Sequence, residues 1–262
     1  MNNTVMNKPY VIGLSLRVIS FGENDQLLFL LSDKQGLVRL IVPNGRKLQN
    51  QTRLILPFCF LKVYIYRTLE PMKVSYVQIL YDFSTIVRQL ETLSAAQGLI
   101  ELCMQLLSEP IIGMQEEIML QFIRLENTIG NPDSPIEALA IAVQSSIHQL
   151  MLGGYCLPIH ICARTGQRLL PPLEGYNEEW RCSFLLHEGF VLGKCDDTCI
   201  ILNASEFLLL QQLHRSMIPR LSNGKLIGSR DTWIYLLDII CLWIEAHLPR
   251  RISSFEILRN CI

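Results

Sequence analysis

Five short strand-like runs, separated by turns and breaks, fill the first 80 positions and point to a small closed sheet. Ile12, Leu14, Leu16 and Val18 alternate with Gly13, Ser15 and Arg17, the period of a half-buried strand. Gly22 to Asp25 is a turn, 26–31 a second run, Ser32 to Gly36 another turn, and 37–42 a third run. Pro43-Asn44-Gly45 breaks the pattern, and a loop of mixed polarity follows to about Pro57. Two more strands are expected near 59–68 and 72–80, separated by Glu70-Pro71. Five strands with short turns suit a five-stranded oligonucleotide-binding (OB) barrel. An SH3-like barrel fits the count equally well on pattern alone.

From about Asp82 the period becomes helical. Ile86, Leu90, Leu93, Ile100, Met104 and Leu107 recur at three and four, ending before Pro110. Ile118, Met119, Phe122 and Leu125 mark a second helix, ended by Gly130-Asn131-Pro132. Ser134-Pro135-Ile136-Glu137 reads as a capping box opening a third helix that Gly153-Gly154 stops. Residues 155–200 hold three prolines and five cysteines and read as a loop-rich insert. Helices are expected again from Ser205 to about Ser216, from Asp231 to His247, and after Ser253 with Glu256 three on.

Half of the 262 residues are apolar and 18% are charged, enough for a sizeable core and too apolar for disorder. No apolar run approaches the roughly 18 residues a membrane helix needs, and the N-terminal stretch reads as neither a signal nor a transit peptide. A chain working in the cytoplasm is expected. The net charge of −1 hides an asymmetry. Residues 1–80 carry ten basic and four acidic side chains, a net +6, and the rest carry −7. A localised site for a polyanion follows. The sequence has no G-x-x-x-x-G-K-[ST], H-E-x-x-H, G-x-S-x-G or G-x-G-x-x-G, and no enzyme activity is expected. A reaction site built from the Cys/His insert ranks last among the readings.

Tyr10 to Arg17, Gly22-Glu23-Asn24-Asp25, Gly36, Gly45-Arg46-Lys47, Pro57-Phe58, the helix from Leu90 to Leu107, Gly154-Tyr155, Cys162-Ala163-Arg164-Thr165-Gly166 and the segment Leu236 to Leu258 occur in order along nearly the whole chain. Together they resemble the bacterial RecO family of recombination mediators. The resemblance implies an α+β protein with an N-terminal five-stranded OB-fold barrel (1–80). A helical domain (81–154 and 201–262) would follow, with a loop-rich, cysteine-containing, zinc-finger-like insert (155–200). It implies DNA repair and homologous recombination: binding of single- and double-stranded DNA, annealing of complementary strands, and loading of RecA onto strands coated by single-strand binding protein (SSB), with RecR. The C-terminal tail of SSB is a further implied partner, and the location would be the cytoplasm, at the nucleoid. The near-neutral total charge favours the alternative of a protein-only adaptor bridging SSB and RecR with little DNA affinity of its own.

Backbone binding without base readout needs cations and stacking faces. Arg46, Lys47 and Arg53 lie in the loop after the third strand. In the fourth strand, Lys62, Tyr64 and Tyr66 alternate with Leu61, Val63 and Ile65, and Arg67 follows; Arg39 on the third strand is a further candidate. A helical-domain covering of Tyr64 and Tyr66 is the competing expectation. Glu23 and Asp25 read as a hairpin turn with Asx-type bonds. Arg215, Arg220, Lys225 and Arg230 are candidates for receiving the acidic SSB tail. For zinc, Cys195-Asp-Asp-Thr-Cys199 has knuckle spacing, but Thr165 stands where a partner for Cys162 would fall. Cys162, Cys182, Cys195 and Cys199 are the candidate ligands, and a metal-free insert without cofactor is the favoured expectation.

Overall fold

The computed structural model describes residues 9–47, 55–66, 72–172, 179–195 and 200–262. The chain divides into two compact units, Met1–Val87 with Leu107–Glu126, and Arg88–Leu106 with Asn127–Ile262.

The first unit holds strands β1 (Tyr10–Phe21), β2 (Asp25–Ser32), β3 (Gly36–Val42), β4 (Cys59–Ile65) and β5 (Met72–Asp82). They close into a barrel of order β1-β2-β3-β5-β4, antiparallel except where β3 and β5 run parallel. This is the five-stranded barrel the strand count called for. Inward side chains fill it: Val11, Leu28, Leu30, Val38, Leu40, Leu61, Val63, Ile65 and Val74 form one buried cluster. On β4 the alternation in sequence maps onto inside and outside; on β1 it is out of phase, because Val11 enters the core and Ile12 is exposed. Gly13 is required by close approach, because a Cβ there would sit 2.3 Å from the Leu31 carbonyl oxygen.

Helix α2 (Met114–Thr128) is amphipathic and packs in this unit. Its Phe122, fully buried, meets Phe58 and Phe83 edge-on, each at 5.5 Å between ring centres. Glu126 near its end accepts hydrogen bonds from Tyr81 and Thr85. The sequence placed this helix with residues 81–154; it clusters with the barrel instead.

The second unit contains α1 (Leu90–Leu106), α3 (Ser134–Leu152), α4 (Ala204–Gln212), α5 (Arg230–His247) and α6 (Ser253–Cys261). Helix α3 is buried along most of its length and packs against α1 and α5. The expected capping box at Ser134 does not form. Asp133 is the capping position without a side-chain cap, and Glu137 instead takes a two-pronged ion pair from Arg220, both bonds 2.7 Å. A capping box does form one element later, at Asn203 and Glu206. Nor does Ser253 cap α6: the capping position is Ile252. The described part of residues 155–200 is mostly loop, with short strands in it. They include β6 (Arg181–Leu185) and β7 (Gly189–Leu192), which with β8 (Ile200–Asn203) form a small sheet of order β7-β6-β8. Phe184, Phe190 and Phe207 form its buried ring cluster. Among the described residues, no helix is long and apolar enough to cross a membrane.

Candidate nucleic-acid interface

Strand β4 sends Cys59, Leu61, Val63 and Ile65 inward and Phe60, Lys62, Tyr64 and Tyr66 outward. Register then builds the site. Tyr64 lies directly opposite Tyr10 on β1 and Tyr76 on β5. The three phenols form a row across three strands, with ring centres 5.9 and 5.8 Å apart. Lys62 Nζ stands 4.1 Å from the centre of the Tyr10 ring and 5.2 Å from that of Tyr64. An exposed cation–π contact is worth about 0.5–1 kcal/mol, enough to bias the ammonium to lie over the rings. A bulge between Tyr64 and Ile65 is fixed by the Ser75 hydroxyl, which donates to the Tyr64 carbonyl at 3.1 Å.

The row faces solvent: Tyr10 is 48% exposed, Tyr76 55% and Tyr66 68%. Tyr64, between its neighbours, is half-buried, and the expected alternative of a covered face does not describe Tyr66 or the ends of the row. Lys73 is exposed, and its carbonyl accepts from the Tyr66 N–H at 2.9 Å. Tyr10, Tyr76 and Lys73 are further candidates that the sequence reading passed over. Their signal was a tyrosine or lysine at an outward strand position, which acquires meaning only when register is known.

The other basic candidates are placed differently. Arg46 is exposed, but its guanidinium donates to the Glu23 carbonyl at 3.0 Å, and its N–H to the Asn24 carbonyl at 3.0 Å. Asp25 accepts from the Asn44 N–H at 2.8 Å, so its carboxylate ties the β1–β2 turn to the Pro43–Lys47 turn instead of closing an Asx turn of its own. Lys47 is exposed. Arg39 is exposed on β3, its Cζ 5.9 Å from the centre of Phe29 on β2. Arg53 and Arg67 lie outside the described residues. Among the cations suggested for an acidic tail, Arg220 is committed to Glu137.

In the insert, Cys162 sits on a tight turn in which Gly166 N–H bonds the Cys162 carbonyl at 2.9 Å. Burial pushes the Cys162 thiol up, but hydrogen bonds from the Thr165 hydroxyl and from the N–H groups of Leu192, Thr165 and Arg164 outweigh it and bring it to about 7. Burial and the neighbouring Cys162 push Cys182 up to about 12. The Arg164 guanidinium sits beside Cys195 and Glu188. Among the described residues no group of three His, Cys, Asp or Glu could hold a metal, and Cys199 lies outside them. Thr165 fills a ligand position with a hydroxyl donor, and Arg164 brings a cation where a metal would be a second one. The described residues do not fit a four-thiolate zinc site. Protein purified without chelator is accordingly expected to carry far less than one zinc per chain by metal analysis, and Thr165→Cys to raise that content. One equivalent in the unaltered chain would contradict this.

Comparison with known proteins matches residues 7–80 to the family model described as "Recombination protein O N terminal". The DNA repair protein RecO of Synechococcus sp. (strain WH7803) is 39% identical over 253 residues, covering 95% of this chain and 93% of that protein. That of Prochlorococcus marinus (strain MIT 9303) is 38% identical, with 95% and 94% covered. The RecO protein of Trichodesmium erythraeum is 24% identical, with 94% and 92% covered. Agreement of this depth over both units, together with a closed five-stranded barrel where the family model matches, shows that the chain belongs to the RecO family of DNA repair and recombination proteins.

Proposed function

We propose that this chain is a recombination mediator that holds DNA on the outer face of its barrel, lets complementary strands meet, and helps load RecA onto SSB-coated single strands with RecR. The single observation that carries the reading is the exposed Tyr10–Tyr64–Tyr76 row with Lys62 lying over it. Stacking on a phenol is indifferent to base identity, and an ammonium beside it neutralises a phosphate. Such a face grips a strand without reading it, as annealing requires. Family membership supports RecR and the SSB tail as partners. The work is done by electrostatics and stacking, without covalent chemistry.

A salt titration of fluorescent single-stranded DNA binding tests this. Each phosphate neutralised on a single strand contributes a log–log slope of about −0.7, so roughly four contacts give about −3. A flat response, or no binding at low salt, would favour the protein-only adaptor.

A further inference from the structure

Three histidines meet in the second unit, and the nucleic-acid reading uses none of them. His148 comes from α3, His160 from the hairpin in which Ile161 bridges Arg168, and His214 from the turn after α4. The His160 and His214 rings stand edge to face, 5.8 Å between centres. His148 Nε2 lies 3.0 Å from the Leu213 carbonyl; a carbonyl only accepts, so that nitrogen carries the proton. His214 Nε2 is sealed from solvent and has no hydrogen-bond partner among the described residues.

The same junction seats the hairpin. The Gln211 side-chain amide, on α4, donates to the carbonyls of Ile159 at 2.8 Å and Leu169 at 3.0 Å, one on each arm. On α3, the Gln144 amide donates to the Arg215 carbonyl at 2.9 Å. The other side of the hairpin is held by β7, where the Phe190 carbonyl accepts from the Ala163 N–H at 2.8 Å.

Charge at this junction is one-sided. His148 acts on His214 from α3 and His160 from the hairpin. Arg215 follows His214, Arg168 stands across the hairpin from Ile161, and both are exposed. Among the described residues no carboxylate counters them at His214. Burial first, then His160 and His148, hold the His214 imidazole below the usual histidine range. A proton added there brings a buried N–H without an acceptor and a charge against two other imidazoles.

We propose that His214 is an acid-sensitive latch: it stays neutral in the closed seat, and its protonation loosens the hairpin edge at Ile159 and Leu169 from α4 while the edge on β7 stays bonded. The open seat binds the proton more tightly than the closed one. The closed seat therefore loses stability as pH falls below about 6.5, the ordinary histidine value. One proton taken up on opening raises the opening equilibrium by at most about tenfold per pH unit.

Residue-resolved amide hydrogen exchange on the full chain tests the latch, with each rate divided by the unstructured-chain rate at the same pH. From about pH 7.5 to about 5.5, protection of the Leu169 amide, which donates to the His160 carbonyl, should fall more than twofold and up to about tenfold. Protection at Ala163 should hold. His214→Phe keeps a ring that cannot charge, and should reduce the fall at Leu169 to under twofold. His160→Gln, at an exposed position, removes one neighbouring imidazole and should raise the midpoint at which the His214 Cε1–H resonance titrates. A fall under twofold in the unaltered chain, an equal fall in His214→Phe, a fall at Ala163 as large as at Leu169, or an unchanged midpoint in His160→Gln overturns the latch.

Discussion

Tyr10→Ala/Tyr64→Ala/Tyr76→Ala is expected to lower affinity for single-stranded DNA by about 100-fold or more at fixed salt. Each base stacked on an aromatic side chain is worth about 1–3 kcal/mol by alanine substitution, and tenfold in affinity is about 1.4 kcal/mol. A row of three rings spaced just under 6 Å offers faces to at least two bases, so a loss near 3 kcal/mol follows. The phenylalanine counterpart, Tyr10→Phe/Tyr64→Phe/Tyr76→Phe, keeps the faces and should stay within about threefold of the unaltered chain. Fluorescence anisotropy at two salt concentrations separates stacking from charge: the alanine variant should shift the curve with little change of slope. A loss under threefold for the alanine variant, in protein that melts normally, would remove stacking from the account.

The largest effect on stability is expected at Phe122. It is fully buried and touches both Phe58 and Phe83 edge-on. Truncating a buried phenylalanine costs about 3–5 kcal/mol, and each aromatic pair adds about 0.5–1.5 kcal/mol beyond area. Phe122→Ala should therefore destabilise the first unit by about 4 kcal/mol in urea unfolding. Phe122→Leu, which conserves most of the volume, should cost under half of that. A loss below about 1 kcal/mol for Phe122→Ala would mean that α2 does not hold the base of the barrel through this ring. The experiment separates packing from binding, because Phe122 is buried and lies outside the tyrosine row.

These two predictions mark the boundary between what the sequence shows and what only the fold reveals. The strands were legible as short apolar runs between turns, with a clear period of two at Leu61, Val63 and Ile65, although on β1 the inward residue is Val11 and not Ile12. Their order was not, since the parallel pairing of Leu40 with Met72 joins segments about thirty residues apart and leaves no local trace. Half of the tyrosine site was visible as Lys62, Tyr64 and Tyr66 on one strand. Tyr10 and Tyr76 join it only through hydrogen-bond register. The stripe of α2 announced a helix but not which unit it serves, because amphipathicity names a face and not its partner.

Local rules failed where a distant group outbid them. Glu137 left its capping role for Arg220, 83 residues on. At the last helix the capping position is Ile252, one residue before the expected Ser253, with no side-chain cap. The insert's strands have four or five residues, too few for alternation to register, and its prolines and glycines read as loop. Thr165, three residues after Cys162, was the informative position there, and the structure sets its hydroxyl against the Cys162 thiol.

Photo-crosslinking places the bound strand most directly. Single-stranded DNA carrying 5-iododeoxyuridine, irradiated in complex with the full chain and digested for mass spectrometry, should yield nucleotide adducts on Tyr10, Tyr64 or Tyr76. Adducts confined to residues 127–262, with these three tyrosines unmodified in a complex that demonstrably forms, would show that the barrel's outer row is not where DNA is held.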